Sequence, residues 1–204
     1  DSFPRGNAEF GPAASLAGRN LGMDFELRDG WRMYHGDRIP GFPGHPHRGF
    51  ETITIVNEGL VDHADSQGAA GRYGNGDIQW MTAGRGIQHS EMFPLLQQEK
   101  SNPMLLFQIW LNLPAKSKMV DPHFTMFWDE QVPRLQESDQ QGKGVTVTVI
   151  AGPYGNTTAL APPPDSWAAD AANQVAVWLI ELTPDASWQL PASIAGLSRM
   201  LYFY

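Results

Sequence analysis

Glycine and proline punctuate this sequence from end to end: 21 glycines and 16 prolines are spread through 204 residues. Long helices do not survive such spacing, because glycine costs about 1 kcal/mol and proline about 3 kcal/mol relative to alanine in a helix interior. The segments left between them are short and rich in β-branched and aromatic residues, as in Phe50–Val56 (FETITIV), Met104–Leu113 (MLLFQIWLNL), Gly144–Gly152 (GVTVTVIAG) and Gln174–Leu182 (QVAVWLIEL). The pattern predicts an all-β barrel or sandwich. Helical patterns are confined to Val132–Ser138 and Ala168–Asn173, and the closing SRMLYFY reads as an apolar strand that needs a neighbour for its backbone bonds.

Between Met126 and Gly144 the sequence turns acidic and amide-rich, as a connector between two strand-rich halves would. The expected organisation is an N-terminal domain over 1–124, a linker over 125–143 and a C-terminal portion over 144–204. A chain that starts at Asp1 and stops within an apolar run is expected to be part of a longer one.

Composition restricts the chemistry. Cysteine is absent, so thiolate zinc sites, disulfides and cysteine nucleophiles are excluded, and any metal must be held by imidazole and carboxylate. A net charge of −8, without clustered Lys or Arg, argues against direct nucleic-acid binding. No apolar run reaches bilayer length, which makes a soluble, cytoplasmic protein the expectation.

Two short stretches carry paired ligand types. GHPHRGFE places His45 and His47 two residues apart, and RGIQHSEM does the same for His89 and Glu91. In a strand, residues i and i+2 share a face with Cα atoms about 6.6 Å apart, so each pair can converge on one ion. Two such strands facing one another across a barrel interior would present three imidazoles and a carboxylate, leaving coordination positions open. Glu51 is a competing carboxylate of the same parity, but a straight strand sets it about 13 Å from His47. A bend at Gly49 would be needed to bring it in.

The stretches HPHRGFETITIVNEGLVDHADSQG, GDIQWMTAGRGIQHSEM and LFQIWLNLPAKSKM resemble the pirin family of bicupins, over roughly Gly44–Met119. The general cupin motifs are present as His45, His47, Glu51 and Gly59, and as Gly76 through Gly84 to His89, with Thr82 standing where the second motif usually has proline. The resemblance implies tandem cupin (jelly-roll, double-stranded β-helix) barrels, the second truncated here, with a metal in the first. It also implies the ligand set His45, His47, His89 and Glu91, in agreement with the distance argument. Fe(II) is the first choice of ion, although imidazole and carboxylate also accept Mn, Ni, Cu and Zn.

On activity, the resemblance implies dioxygenase chemistry on a flavonol such as quercetin with O2, cleaving the 2,3 bond; as a catalytic residue Glu91 is expected, beyond its role as ligand, to accept the flavonol hydroxyl proton. The alternative it implies is a metal-dependent regulator that binds a protein partner. A cupin isomerase or a structural zinc site is a third reading.

Other residues read more simply. His63, in VDHADSQG, is expected to be a hydrogen-bonded turn residue, or else a contact to a ligand or substrate; His35 and His123 read as structural. Gly84 and Gly86 lack the third glycine and following helix of a dinucleotide site, and read as a tight turn aiming His89 inward. Phe42, Phe50, Trp80 and Met81 are the candidates for apolar residues around the ligands.

Overall fold

The computed structural model describes residues 1–204 and is all-β, as expected: helix occurs only as four 3-10 turns of three residues each. None is long and apolar enough to cross a membrane. In chain order the strands begin with β1 (Ser2–Phe3), β2 (Gly41–His47), β3 (Phe50–Glu58), β4 (Leu60–Asp65) and β5 (Ala70–Gly74). They continue with β6 (Ile78–Thr82), β7 (Ile87–Met92), β8 (Asn102–Pro103), β9 (Leu105–Asn112) and β10 (His123–Phe127). The last five are β11 (Arg134–Ser138), β12 (Gly144–Ala151), β13 (Pro153–Tyr154), β14 (Thr157–Thr158) and β15 (Val177–Leu182).

Three antiparallel sheets form three layers. The middle sheet has the order β10-β6-β3-β9, one flanking sheet β2-β7-β4-β5, and the other β11-β12-β15. Strand β3 explains the stacking, because both of its faces are covered. Thr52, Thr54 and Val56 point into the barrel closed by the β2-β7-β4-β5 sheet, where Val56 joins Val61, Tyr73 and Phe93. Ile53 and Ile55 point the other way, packing with Ile78, Trp80 and Phe127 against Ile150, Ala151 and Val132 beneath the third sheet. A strand buried on both faces needs apolar or β-branched residues nearly throughout, and FETITIV supplies them at every position but Glu51. Full burial of side chains such as Ile53, Ile78 and Ile150 is worth about 1.5–3 kcal/mol each. That apolar layer ties the third sheet to the barrel.

Residues 1–40 cover one end of the barrel with little regular structure. They are held by Trp31 and Met33 in the core and by the buried Arg19, which pairs with Asp24 at 2.9 Å and lies over the Trp31 ring.

Three local expectations differ from the structure. Val132–Ser138 contains no helix; residues 134–138 are β11, an exposed edge strand paired with β12, for instance Leu135 opposite Val147. Ala168–Asn173 spans parts of two 3-10 turns capped by the side chains of Ser166 and Asp170 rather than a helix. SRMLYFY is not a strand; Tyr202 and Tyr204 instead rest their rings against Phe107, at 6.0 and 4.6 Å between centroids. The segment 125–143 holds the end of β10, a 3-10 turn at Asp129–Gln131, and β11, so it is structured throughout much of its length.

Candidate metal centre

The histidines of β2 and β7 belong to hydrogen-bonded neighbours in one sheet, not to strands facing each other across the interior. His45 is the direct partner of His89, and Phe42 of Glu91. Two residues of β2, Pro43 and Gly44, thus stand against one of β7, Ser90, which is a bulge. Its consequence is decisive: without the extra residue, Gly44 would face His89 and His45 would pair with the exposed Gln88. Proline has no N–H to leave unpaired, and Gly44 lies in open space, so the bulge is cheap where it falls. It turns both histidines inward.

The turn from β6 into β7 is set by Gly84, with φ of +51°, and Gly86, with φ of +137°. A Cβ at Gly84 would lie 2.2 Å from the carbonyl oxygen of Val120, so only glycine fits. The turn delivers Ile87, His89 and Glu91 to the buried face of β7.

Three imidazoles converge there. His45 and His47 have their Nε2 atoms 3.1 Å apart, and one ligand atom from each of His45, His47 and His89 falls within 4.8 Å of the others. Glu91 Oε2 lies 3.8 Å from His89 Nε2. Burial, followed by the neighbouring His45, lowers the His47 imidazole to about 4; burial, followed by the other imidazoles, lowers His89 to about 3. Both rings are therefore neutral near pH 7, the form that ligates metal.

Glu91 is 4% exposed, and burial pushes its carboxyl above the ordinary range. Opposing this, Gln108 Nε2 donates to both of its oxygens at 3.0 and 2.9 Å, and the Thr54 hydroxyl donates at 3.3 Å. Gln108 is oriented in turn by the Trp110 indole, whose Nε1–H donates to Gln108 Oε1 at 2.8 Å.

A divalent cation suits this donor set. His89 Nε2 is buried with no hydrogen-bond partner, an expensive arrangement for a lone imidazole nitrogen. Ligand atoms around one ion with bonds of about 2.0–2.1 Å sit roughly 2.9–3.4 Å from each other. The 3.1 Å between His45 and His47 falls in that range, and the 3.8 Å between His89 and Glu91 lies a little outside it.

Glu51 goes elsewhere. Gly49 does bend the chain, with φ of +75°, but the bend carries β3 into the middle sheet and turns Glu51 to its outer face. There the fully buried carboxylate accepts from Trp80 Nε1 at 2.8 Å, the Thr82 hydroxyl at 3.2 Å and the Trp167 backbone N–H at 2.8 Å. Trp80, on that same face, is likewise remote from the imidazoles. Phe50 packs edge-on to His47 at 4.9 Å and Phe42 approaches His45 at 6.3 Å, while Met81 lies deeper in the barrel with Ile87.

Sequence reasoning did not find Gln108, Thr54 or Trp110. The signal was available in part, since Gln108 and Trp110 are two apart on one face of β9 and Gln108 is the direct partner of Thr54. His63 is buried beside His89, with Nδ1 atoms 3.5 Å apart, and its Nε2 lies 3.0 Å from Asp65. Burial alone would raise Asp65, but hydrogen bonds from His63, Ala69 and Gln67 outweigh it and hold the carboxyl below its usual range. His35 is peripheral, bonding the Gly22 carbonyl at 2.7 Å, and His123 is exposed at the start of β10.

A cavity of about 280 Å³ opens beside the centre, lined by Glu91, Gln108, Phe42, Tyr34, Phe93 and Leu106 among others. A larger one, about 600 Å³, lies between the middle and third sheets near Leu179 and Glu181, away from the histidines.

Residues 17–111 match the family model described as Pirin. A pirin-like protein of Caulobacter vibrioides is 45% identical over 123 residues, which is 60% of this chain and 42% of that protein. Human pirin is 43% identical over 120 residues, 58% of this chain and 38% of its own. Among solved structures, a quercetin 2,3-dioxygenase from Acinetobacter baumannii aligns with a TM-score of 0.54 at 38% identity, covering 61% of this chain and 42% of that one. The matched part thus spans about two fifths of the length of these curated relatives. The all-β cupin barrel and the paired ligand types on two adjacent strands agree with these relatives, and over residues 17–111 the chain matches the pirin family.

Proposed function

We propose that the chain carries a mononuclear metal centre of the quercetin 2,3-dioxygenase type, in which His45, His47, His89 and Glu91 hold one divalent cation, Fe(II) foremost. The observation that carries this reading is the buried, unpartnered Nε2 of His89 among converging imidazoles and a carboxylate. Bound there, a redox-active divalent metal supplies Lewis acidity and a route for charge between an enolate-type substrate and dioxygen.

The protein's own residues supply the rest. The cavity beside Glu91 is walled by Phe42, Tyr34, Phe93 and Leu106, a surface suited to a flat aromatic substrate such as a flavonol. Glu91, whose burial raises its proton affinity, accepts the flavonol hydroxyl proton; Gln108 and Thr54 hold the carboxylate in position for that transfer. Phe50 and Trp110, with ring centroids 4.7 Å apart and both edge-on to His47, limit water at that imidazole. We read residues 144–204 as part of a second cupin unit, supported by the β11-β12-β15 sheet packed on the first.

The 62% exposure of Trp110, whose ring touches His47, favours a second reading in which a protein partner senses the centre through this indole. The test is oxygen uptake by Fe(II)-loaded protein with quercetin. Consumption of both reactants is expected in the wild type and its loss in the His89→Ala, Glu91→Ala double variant. Turnover retained by that variant refutes the assignment, and metal-dependent capture of a partner without turnover on any flavonol favours the second reading.

A further inference from the structure

We propose that Asp65 and His63 are positioning residues for His89: together they form a buried relay that fixes the His89 tautomer, so that Nε2 presents a lone pair rather than an N–H to the other imidazoles. The proposal rests on the metal-centre reading for its purpose but on hydrogen-bond logic for its substance.

Strand β4 lies beside β7 with Asp65 opposite His89 and His63 opposite Glu91, so these four side chains share the buried face. The Asp65 side chain is 0% exposed. Its Oδ1 accepts the backbone N–H groups of Gln67 at 2.8 Å and Ala69 at 3.1 Å, which leaves Oδ2 for His63 Nε2 at 3.0 Å. An ionised carboxylate only accepts, so His63 Nε2 carries the hydrogen. In neutral His63 the other nitrogen, Nδ1, is then bare, and it lies 3.5 Å from Nδ1 of His89. Two bare nitrogens facing each other would repel, so the hydrogen of His89 resides on Nδ1 and donates to His63. That leaves His89 Nε2 without a hydrogen, and it is the atom that the fold buries with no partner.

The turn holding Asp65 is itself fastened to β7. Ser66 N–H donates to the Gln88 carbonyl at 2.8 Å, and Gln88 N–H donates to Ser66 Oγ at 3.1 Å. The relay is therefore registered on the strand that carries His89. Phe124 closes it off, 5.6 Å from the His63 ring. Partners of this kind fix ligand tautomer and orientation elsewhere, and their removal typically weakens metal binding about 10–100-fold.

Two measurements on the whole chain decide the matter. Long-range 15N–1H NMR of the metal-free, 15N-histidine protein reads the tautomer directly. Titration with Co(II), followed by its visible absorption, reads affinity. In the wild type His89 is expected as the Nδ1–H form. His63→Phe, which offers no acceptor, is expected to give mixed tautomers and about 10–100-fold weaker Co(II) binding. His63→Asn, whose Oδ1 can stand where Nδ1 stood, is expected to restore most of both. A wild-type His89 protonated at Nε2, or a folded His63→Phe with unchanged tautomer and affinity, overturns the relay. Should His63→Phe not fold, the wild-type tautomer and His63→Asn still decide. Absence of Co(II) binding by the wild type overturns the metal-centre reading instead, while the metal-free tautomer still judges the relay.

Discussion

Replacing Gln108 by leucine keeps the side-chain volume roughly constant while removing the amide that donates to both oxygens of Glu91, at 3.0 and 2.9 Å. Only the Thr54 hydroxyl, 3.3 Å away, then remains for a carboxylate that is 4% exposed. A hydrogen bond to a charged group is worth about 1.5–3 kcal/mol, and the amide hydrogens are shared with Thr54, so the loss is about 2–3 kcal/mol in metal-free protein. For a chain of this size that lowers Tm by about 5–10 °C. The pH dependence gives the sharper test. Burial already raises Glu91 above the ordinary carboxylate value of 4.5, and removal of the donors raises it further. The folded state then binds the proton more readily than the unfolded state. The penalty is thus full above the folded pKa and vanishes below the unfolded one, because a protonated Glu91 has less need of donors. Scanning calorimetry with chelator, from pH 8 to 4, should show the gap between variant and wild type closing as pH falls. A gap that is absent, or constant across this range, refutes the account of Glu91 as a buried carboxylate held charged by Gln108.

Two further outcomes follow from the same geometry. In metal-free protein His47 and His89 are held at about 4 and about 3 against 6.5 unfolded, so the unfolded state alone takes up their protons as pH falls below 6.5; at about 1.36 kcal/mol per unit, each removes on the order of 2 kcal/mol of stability by pH 5. Urea midpoints at pH 7.5 and 5 should show this loss, and an equal loss in a His47→Ala, His89→Ala variant would refute its origin. Gly84→Ala places a Cβ 2.2 Å from the Val120 carbonyl oxygen at a φ of +51° and should lower Tm by several degrees, whereas Gly44→Ala, with open space around it, should change Tm little; comparable Tm values for the two variants would contradict the turn's role.

Strands β3, β9, β12 and β15 were legible as short runs rich in apolar and β-branched residues: Val145, Val147 and Val149 fall on one face of β12, and from Phe50 to Val56 only Glu51 departs from that composition in β3. Strand β11 was not legible. Four of its five residues are not buried in any apolar layer, so it lacks the alternation that marks a strand, and Val132 and Leu135 at helical spacing point to the wrong period. It exists because β12 offers it a ladder, which is a tertiary cause. The inward direction of His45 and His47 was read from parity alone, yet parity would have failed without the Pro43–Gly44 bulge, which no period in the sequence announces. Gln108 and Thr54 escaped because neither is a ligand type and both lie on the opposite sheet from Glu91.

The two buried glutamates show how one backbone feature separates chemistry that composition cannot. Glu51 and Glu91 are both nearly or fully excluded from water, and neither pairs with Lys or Arg. Counting residues gives Glu51 the same parity as the histidines of β2; the positive-φ turn at Gly49 breaks that count by moving the chain from one sheet to the next. On the outer face Glu51 meets donors for both oxygens, including the Trp167 N–H from the long segment after β14, so its charge is satisfied and it links the barrel to that segment. Glu91, inside, also has donors, but it stands next to an imidazole nitrogen that has none. A cation placed between them would satisfy the bare nitrogen and offset the burial that raises Glu91, whereas at Glu51 it would have to displace three hydrogen bonds and would find no imidazole.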